Sequence, residues 1–564
     1  MFKALTTLRF SKFVAGQGDR VKRVILGLVV AWLGFAPAYP QSSPGQTKDK
    51  PLQVSAEKAG RDDPGTRPRH HTGRALIESA VLITASTVDY WRTYANFKED
   101  WQFALTWKDQ KRRFFTAESP KFDSNAFWFN WSHALSGAGY YNLARTNGLN
   151  SRASFLFSFG MSVLWEAACE WREIISTNDM IFTPFGGPAI GEPLFQVGSY
   201  FSRRRGILNR LAGIVFNPFL AANNWFDRKA GPAADSGRDA AWHRFSLFAG
   251  LKTCTVSPAG TTAVPASVAG HREFNLGLEM ETATVPGYGR AGAFRGWLAE
   301  TLSSRVFFDL SFSPDGMEEF HVRTQAVLFG YGRQSIREAP DGSLRGHSAS
   351  VGLGTAFEVY RKRPVAWYDS SAEIPGGGPA LSDARFIRPT PTRFTDKMSV
   401  ISPLGGVLTF AFFGPRLHAR WTTEIYGDFA LVNALAYNRF TESHDTGGVK
   451  STLLNWGYYY ALGMTLASDL TVDWRHWRLQ GGAGFQLYDS VQGQDRYQFL
   501  GVVTDDSKIR DTRLVRRFRL GYRPRRTPVE LGLAVEGIGR RGRLLDIREH
   551  YRETRFFYQL RLVF

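Results

Sequence analysis

The last ten residues of the chain, RFFYQLRLVF (555–564), carry the pattern that decides the fold. Large apolar side chains occupy every second position, namely Phe556, Tyr558, Leu560, Leu562 and Phe564. Arg555, Gln559 and Arg561 lie between them. Because successive side chains of a strand point to opposite faces of a sheet, this segment predicts a β-strand with one apolar face.

This ending resembles the C-terminal signature of outer-membrane β-barrel proteins, in which a terminal aromatic residue follows alternating apolar positions. In those proteins the barrel-assembly machinery recognises the signature. The resemblance implies the same partner for Phe556, Tyr558, Leu560, Leu562 and Phe564.

The same period of two recurs throughout residues 241–564. Phe245, Leu247 and Ala249, for example, alternate with polar or small residues, and charged residues fall repeatedly on the second face. A soluble barrel has an apolar interior, whereas this pattern predicts a wet interior and an apolar exterior. We therefore predict an antiparallel transmembrane barrel of about twelve strands. The predicted strands are 242–255, 272–284, 303–313, 319–334, 347–360, 402–413, 417–431, 457–474, 477–491, 512–523, 528–540 and 552–564.

Connection lengths support an even strand number with both barrel ends on the periplasmic side, since outer-membrane barrels have short periplasmic turns and longer outer loops. The tight connections are 414–416, 475–476 and 524–527, and the long ones are 361–401, 432–456 and 492–511. Two predicted periplasmic connections, 285–302 and 335–346, are longer than this rule expects.

The N-terminus carries the pattern of an exported protein. Lys22 and Arg23 precede the apolar run 24–35, and Ala36-Pro37-Ala38 follows it. This arrangement predicts a signal peptide over residues 1–38. Residues 39–72 are rich in polar residues, Pro and Gly, which predicts a disordered linker. Together with the barrel, the signal predicts the outer membrane of a Gram-negative bacterium.

The net charge of +19 favours scattered solvated Arg and Lys, or attraction to anionic lipids and lipopolysaccharide. No zinc-ligand spacing or RNA-binding consensus indicates a nucleic-acid partner. Two cysteines, Cys169 and Cys254, are too few for a disulfide framework, and we predict no bond between them.

Residues 73–230 have helical periodicity, so the predicted fold class is α+β, with an N-terminal helical domain before the barrel (241–564). The predicted helices are 76–94, 127–145, 153–175, 192–204 and 207–226. Polar residues recur on each, and no apolar run reaches the length of a membrane-spanning helix. We predict that this domain lies on the periplasmic side and covers the barrel mouth, with segment 207–226 as the candidate for insertion into the lumen.

Five polar residues of the helical half are candidates for a site: His133, Glu166, Glu170, Asp179 and Glu192. One interpretation is a buried polar network that fixes helix packing. The other is a metal or acid/base site acting on an envelope lipid or glycan. One His with several carboxylates suits Mn, Mg or Ca better than zinc. No HExxH or GxSxG motif supports an enzyme, and no cofactor is required.

Three strings in this half carry a family resemblance: NWSHALSGAGYYNLARTNG (130–148), SVLWEAACEWREIISTNDMIFTP (162–184) and GGPAIGEPLFQVGSYF (186–201). They resemble the bacterial family catalogued as domain of unknown function three-nine-four-three, over roughly residues 95–230. The resemblance implies the envelope of Gram-negative bacteria and brings no established activity.

Three functions remain open, of which the first is a channel or structural envelope protein. The others are an enzyme on envelope lipids or glycans, and a scaffold that tethers an envelope partner. For the first, the predicted inner wall mixes opposite charges that pair across a narrow lumen or line a path for small solutes. These are Arg244, Lys252, Arg305, Arg517, Arg519 and Arg561 with Glu273, Glu279, Glu281, Glu530 and Glu536.

Overall fold

The structure is a computed structural model that describes most of the chain from residue 71 onward. The described residues are 71–97, 106–116, 119–171, 173–227, 242–259, 271–285, 287–314, 316–362, 396–449, 451–491, 496–497, 501–502, 507–525 and 527–564. The predicted signal peptide and nearly all of the predicted linker lie outside these ranges.

Twelve strands of the C-terminal half close into an antiparallel barrel, as predicted. The barrel strands are β1 Trp242–Ala259, β2 His271–Ala283, β4 Ser303–Ser313, β5 Gly316–Glu338, β6 Leu344–Lys362, β7 Asp396–Phe413, β8 Leu417–Val432, β9 Tyr459–Trp474, β10 Trp477–Ser490, β13 Ile509–Tyr522, β14 Val529–Leu544 and β15 Ile547–Val563. Around the ring the order is β5-β4-β2-β1-β15-β14-β13-β10-β9-β8-β7-β6, and β6 pairs with β5 to complete it. The closing seam joins β1 to β15, where Phe245 and Phe564 exchange two backbone hydrogen bonds.

Short extra elements account for the two connections that are longer than expected. Connection 285–302 contains strand β3 (Gly292–Leu298), which pairs with the end of β5 beyond β4. Connection 335–346 contains the ends of β5 and β6, which continue to pair up to a tight turn. The remaining short strands, β11 (Arg496–Tyr497) and β12 (Gly501–Val502), form a separate hairpin. Both long connections are therefore folded extensions of the wall.

The two faces of the wall have the polarity that the sequence predicts. Arg244, Glu279 and Arg561 line an internal cavity, whereas Leu251 and Tyr558, on the other face of their strands, are more than half exposed. The residues of the last strand that match the predicted signature also lie on the outward face. The strand therefore has the expected orientation, and its recognition by assembly machinery stays a prediction.

The helical half contains more helices than predicted. Its helices are α1 Thr72–Phe97, α2 Trp107–Phe115, α3 Phe127–Thr146, α4 Ser151–Leu164, α5 Thr177–Gly186, α6 Glu192–Ser202, α7 Ile207–Phe216 and α8 Pro218–Phe226. In the barrel half, two further helices lie between β8 and β9, namely α9 Tyr437–Ser443 and α10 Thr452–Trp456. The predicted helix 153–175 ends early in a π-helical turn, Trp165–Cys169. Segment 207–226 breaks at Asn217, which caps α8 ahead of Pro218. None of the described helices is long and apolar enough to cross a membrane.

The contacts divide the chain into two compact units, with most of α1 in one and the remaining elements in the other. Within the second unit, helices α3 to α8 form a layer that we call the helical layer. Cys169 lies in this layer and Cys254 in β1, and both are buried free thiols.

The helical layer packs against the outer face of the barrel wall. Glu358 lines the lumen, so its neighbours Phe357 and Val359 point outward, and both are buried against Ala134 and Phe182 of the layer. At the other end of the wall, Phe245, which alternates with the lumenal Arg244, packs against Phe201 and Phe216. The prediction that these helices cover the mouth and insert segment 207–226 was wrong. That segment packs on the outside because its apolar side chains match the apolar exterior rather than the charged lumen.

Candidate functional site

Helices α3, α4 and α5 bring four of the five predicted site residues together. His133 lies on α3 and Asp179 in the first turn of α5. Glu166 lies on the π-helical turn at the end of α4, and Glu170 directly follows that turn. All four are almost completely buried. One carboxylate oxygen each from Glu166, Glu170 and Asp179 lies within 4.8 Å of the other two. His133 Nε2 is 3.3 Å from Asp179 Oδ2. We call these four residues the carboxylate cluster.

Local structure explains why Glu166 and Asp179 face this point. The π-helical turn Trp165–Cys169 widens the helix, and such insertions often occur at functional sites. Glu166 accepts a hydrogen bond from the backbone N–H of Ser176, at 3.0 Å. Ser176 is also the N-cap of α5, and its hydroxyl accepts from the N–H of Asp179. One loop residue therefore positions two members of the cluster.

The electrostatics of the cluster oppose full ionisation. Burial raises the pKa of the Glu166 carboxyl well above its usual range, and the nearby charges of Glu170 and Asp179 raise it further. A shared proton or a bound cation would relieve this repulsion. Chemically, the donor set of three carboxylates and one imidazole could hold a hard divalent cation such as Mn or Mg.

A chain of hydrogen bonds connects the cluster to the barrel wall. The Asn178 side chain donates to Asp179 at 2.9 Å and, more weakly, to Asn130 at 3.4 Å. Asn130 in turn donates to the hydroxyls of Tyr458 and Tyr460, at 2.6 and 2.7 Å. The geometry of the cluster is thus fixed by the start of β9 as well as by its own helices.

Glu192, the fifth predicted residue, belongs to a different network. Its carboxylate accepts from Arg145 Nε at 2.8 Å, Tyr141 at 2.9 Å, and both Gln196 and Thr301 at 2.6 Å. Although burial opposes ionisation, Arg145 and these hydrogen bonds hold the pKa of Glu192 below its usual value. Grouping Glu192 with the other four was therefore wrong. Its arrangement is that of a buried ion pair that fixes α6 to α3 and to the wall.

Ion pairs cross the barrel lumen. Arg420 of β8 contacts Glu281 of β2, and these strands lie five positions apart in the ring of twelve, along β2, β4, β5, β6, β7 and β8. Arg540 of β14 lies 2.6 Å from Asp396 of β7, again five positions apart. Strands nearly opposite each other are therefore joined through the interior. The charged inner wall predicted from the sequence is confirmed, and many of its charges are paired.

Arg555 is the centre of the largest of these networks. Its guanidinium contacts Glu319 and Glu536 at 3.0 Å each and Glu553 at 2.8 Å. It also donates to the hydroxyl of Tyr360, at 2.6 Å. Lys252 bridges Glu273 and Glu319 at 2.5 and 2.8 Å, and Lys362 contacts Glu553. Together these side chains fill one section of the lumen.

Folded segments narrow the lumen at both ends. At the rim with long loops, a folded segment enters the barrel; we call it the rim plug, and it consists of residues 433–449 and 451–456. Its side chains Ala434, Ala436 and Phe440 form an apolar cluster with inward side chains of the wall. At the other end, residues 287–291, the lumenal loop, are held by Gln334, which donates to the Gly287 and Arg290 carbonyls. Between them lies a charged cavity of about 200 Å³.

Sequence reasoning missed two contributors to the carboxylate cluster. Arg113 of α2 is buried and donates to the Glu166 backbone carbonyl. It comes from a strongly basic segment, WKDQKRRFF, that was not among the predicted helices. Asn178 lies between the predicted helices 153–175 and 192–204, although the Ser-x-x-Asp spacing of Ser176 and Asp179 is a helix N-terminus signal.

Solved structures similar to this chain are outer-membrane barrels, at low TM-scores. A bacterial polysaccharide outer membrane secretin has TM-score 0.18 and 11% identity, covering 57% of this chain and 98% of its own. The translocator domain of autotransporter NalP from Neisseria meningitidis has TM-score 0.18 and 12% identity, and the match covers 60% of this chain and 95% of that domain. The outer membrane channel DcaP of Acinetobacter baumannii has TM-score 0.18 and 10% identity, and the match covers 58% of this chain and 98% of that protein. Such values transfer no function, so the barrel rests on its own strand pairing.

No curated protein matches the chain. One family model does, and it covers the part of the chain that contains the carboxylate cluster and Glu192. Residues 119–219 match the family described as Domain of unknown function (DUF3943), which confirms the resemblance carried by the three strings between residues 130 and 201.

Proposed function

We propose that this protein is a structural barrel of the Gram-negative outer membrane whose lumen is closed. The observation that carries the proposal is the set of ion pairs joining nearly opposite strands, above all Arg420–Glu281 and Arg540–Asp396. Phe564 and the tight turns at 414–416 and 475–476 lie at one rim, which faces the periplasm if the usual loop asymmetry holds.

The energetics of the lumen support closure over passage. A solute crossing it has to separate charges that are buried and hydrogen-bonded to each other, and breaking such a pair costs about 3–5 kcal/mol. The rim plug adds a second barrier, because Arg540 and Asp511 hold it through Asn433 and Leu435. The lipid and lipopolysaccharide surroundings of the barrel, and its delivery by barrel-assembly machinery, belong to the same proposal.

Conductance in planar bilayers tests closure. The full-length protein is expected to give no steady current, while a porin inserted under the same conditions conducts. The double variant Arg420→Ala with Arg540→Ala removes two of the cross-lumen pairs and frees Asn433 of the rim plug from Arg540, so current steps are expected. Arg510→Ala, which removes an exposed ion pair with Asp489, is the matched control. Steady open-pore current from the unmodified protein would refute the proposal.

An enzyme acting on envelope lipids or glycans is the second candidate, and the carboxylate cluster is the observation that favours it. Three carboxylates and an imidazole converge within the layer, which is the donor set of a metal or acid/base site. The cluster is buried, so a substrate would have to reach it through movement of the layer.

Metal content distinguishes this candidate from a purely structural network. If the cluster holds a cation, protein dialysed against Mn or Mg should retain one equivalent by elemental analysis. Glu170→Gln with Asp179→Asn should lose it. Glu192→Gln is the control, because Glu192 is an equally buried carboxylate of the same layer outside the cluster. Absence of bound metal in the unmodified protein, or equal loss in the control, would exclude a metal site here.

A further inference from the structure

Helix α4 has the reverse of the polarity expected in a water-exposed domain. Its buried face carries Ser154, Ser158 and Ser162, and continues into Glu166 and Glu170. Its exposed face carries Leu156, Phe159, Val163 and Leu164, of which Leu156 is 65% exposed. Helices in water show the opposite arrangement, with the apolar stripe toward the core. Small and hydroxylated residues at helix contacts, with apolar residues outside, are typical of helices in lipid.

We infer that the helical layer is embedded in the bilayer, with the outer face of α4 in contact with the acyl chains that surround the barrel. This inference rests on the proposed membrane location of the barrel. It replaces the predicted position on the periplasmic side with one alongside the wall.

The height of the layer on the wall supports this position. One end of α3 is bound through Asn130 to Tyr458 and Tyr460 at the long-loop rim. The other end, at Arg145, reaches Glu300, which follows β3. Over its 20 residues a helix rises about 30 Å, close to the thickness of the hydrocarbon core. Because α3 follows the wall between these anchors, it lies at the same depth as the strands.

Helix α4 lies on α3 and therefore at the same depth. The Ser158 hydroxyl donates to the Gly137 carbonyl in the middle of α3, at 3.1 Å. Near the start of α4, Arg152 lies over the outward ring of Phe329 on β5, at 5.8 Å from its centroid. The apolar face of α4 is thus continuous with the apolar exterior of the barrel, where Leu462 and Leu466 of β9 are similarly exposed.

The rest of the layer shows the same surface. On α7, Ile207, Leu211 and Val215 are each more than half exposed. Arg203 and Arg205, just before α7, are exposed at the end of the layer that contacts Phe245 near the Phe564 rim. Cationic side chains at the ends of lipid-facing segments suit the headgroup region. This pattern fits lipid better than a protein partner, because it extends over the outer faces of both α4 and α7 instead of forming one bounded patch.

Site-directed spin labelling of the full chain in phospholipid vesicles tests the inference. Nitroxides are attached at Leu156→Cys and Val163→Cys. For each label, the collision rate with oxygen, which partitions into acyl chains, is compared with the collision rate with a nickel chelate, which stays in water. Leu466→Cys on β9 reports the barrel exterior, and Asp546→Cys in the exposed β14–β15 turn reports water. The unmodified protein, in which Cys169 and Cys254 are buried, is the labelling blank.

Both α4 sites are expected to give an oxygen-to-nickel ratio like that of the Leu466 site and several-fold above that of the Asp546 site. If the α4 labels collide mainly with nickel while the Leu466 label collides mainly with oxygen, the inference is overturned, but the membrane location of the barrel is not. Low collision with both reagents at α4 would mean that a protein partner or second copy covers this face, which also overturns it. A nickel-accessible Leu466 site would instead refute the proposed membrane location itself.

Discussion

Replacement of Gly137 by Ala is expected to lower the free energy of unfolding of the helical layer by about 3 kcal/mol, the upper end of the cost of overpacking. A Cβ at this position would lie 1.6 Å from the Thr183 carbonyl oxygen and 2.6 Å from its carbon. These are backbone atoms of α5, so α3 and α5 have to move apart. The separation would also displace Asp179 from His133, because these residues lie on the same two helices.

Urea unfolding of the reconstituted protein, followed by the helical circular dichroism signal, measures this loss. Gly160→Ala is the matched control, because a Cβ at that helical glycine of α4 would meet no atom within 4 Å. There the better helix propensity of Ala should stabilise the layer slightly, by up to about 1 kcal/mol. Equal midpoints for the two variants would contradict the close packing of α3 against α5.

Replacement of Arg555 by Ala is expected to destabilise the barrel by about 3–5 kcal/mol, since it leaves buried carboxylates without their shared cation. Glu319 and Glu553 lose one partner each but keep Lys252 and Lys362. Glu536, whose contact with Arg555 is 3.0 Å, loses the partner that holds it to the network. The cost arises from stranded charge, so removal of a charge should restore stability.

The rescue by a second substitution makes this prediction specific. Glu536→Gln in the Arg555→Ala background should recover part of the lost stability, measured as the urea midpoint of heat-modifiable folded barrel on gels. Arg510→Ala, at an exposed arginine of β13, should leave the midpoint unchanged. If the double variant is less stable than Arg555→Ala alone, stranded charge is not the cause of the effect.

The barrel could be predicted from the sequence because its residues alternate strictly. Charged Glu279 and Arg561 on one face and apolar Leu278 and Leu560 on the other leave one arrangement of each strand in a membrane. Strand β3 was not predicted because Gly292–Leu298 is short and lies within a segment that was interpreted as a connection. Helix α5 was not predicted because Pro184, Gly186 and Gly187 are residue types that usually indicate a loop. Here the glycines allow helices to approach each other closely.

The candidate site was only partly predictable, for a different reason. Spacings of three and four placed His133, Glu166 and Glu170 on helix faces, but no sequence rule tells which faces meet. Glu192 was grouped with them as a polar residue of the helical half, yet its partner Arg145 lies 47 residues away. The position of the layer was mispredicted because a period of 3.6 shows that a helix has an apolar face but not which surface that face meets.

The bond between Asn130 and Tyr458 spans 328 residues of chain. Contacts of such long sequence separation form late, because the entropy of closing the intervening loop is lost before they contribute. Helix α3 must therefore wait to dock until the later strands have closed. The slowest step of folding should be the docking of α3 onto a finished wall.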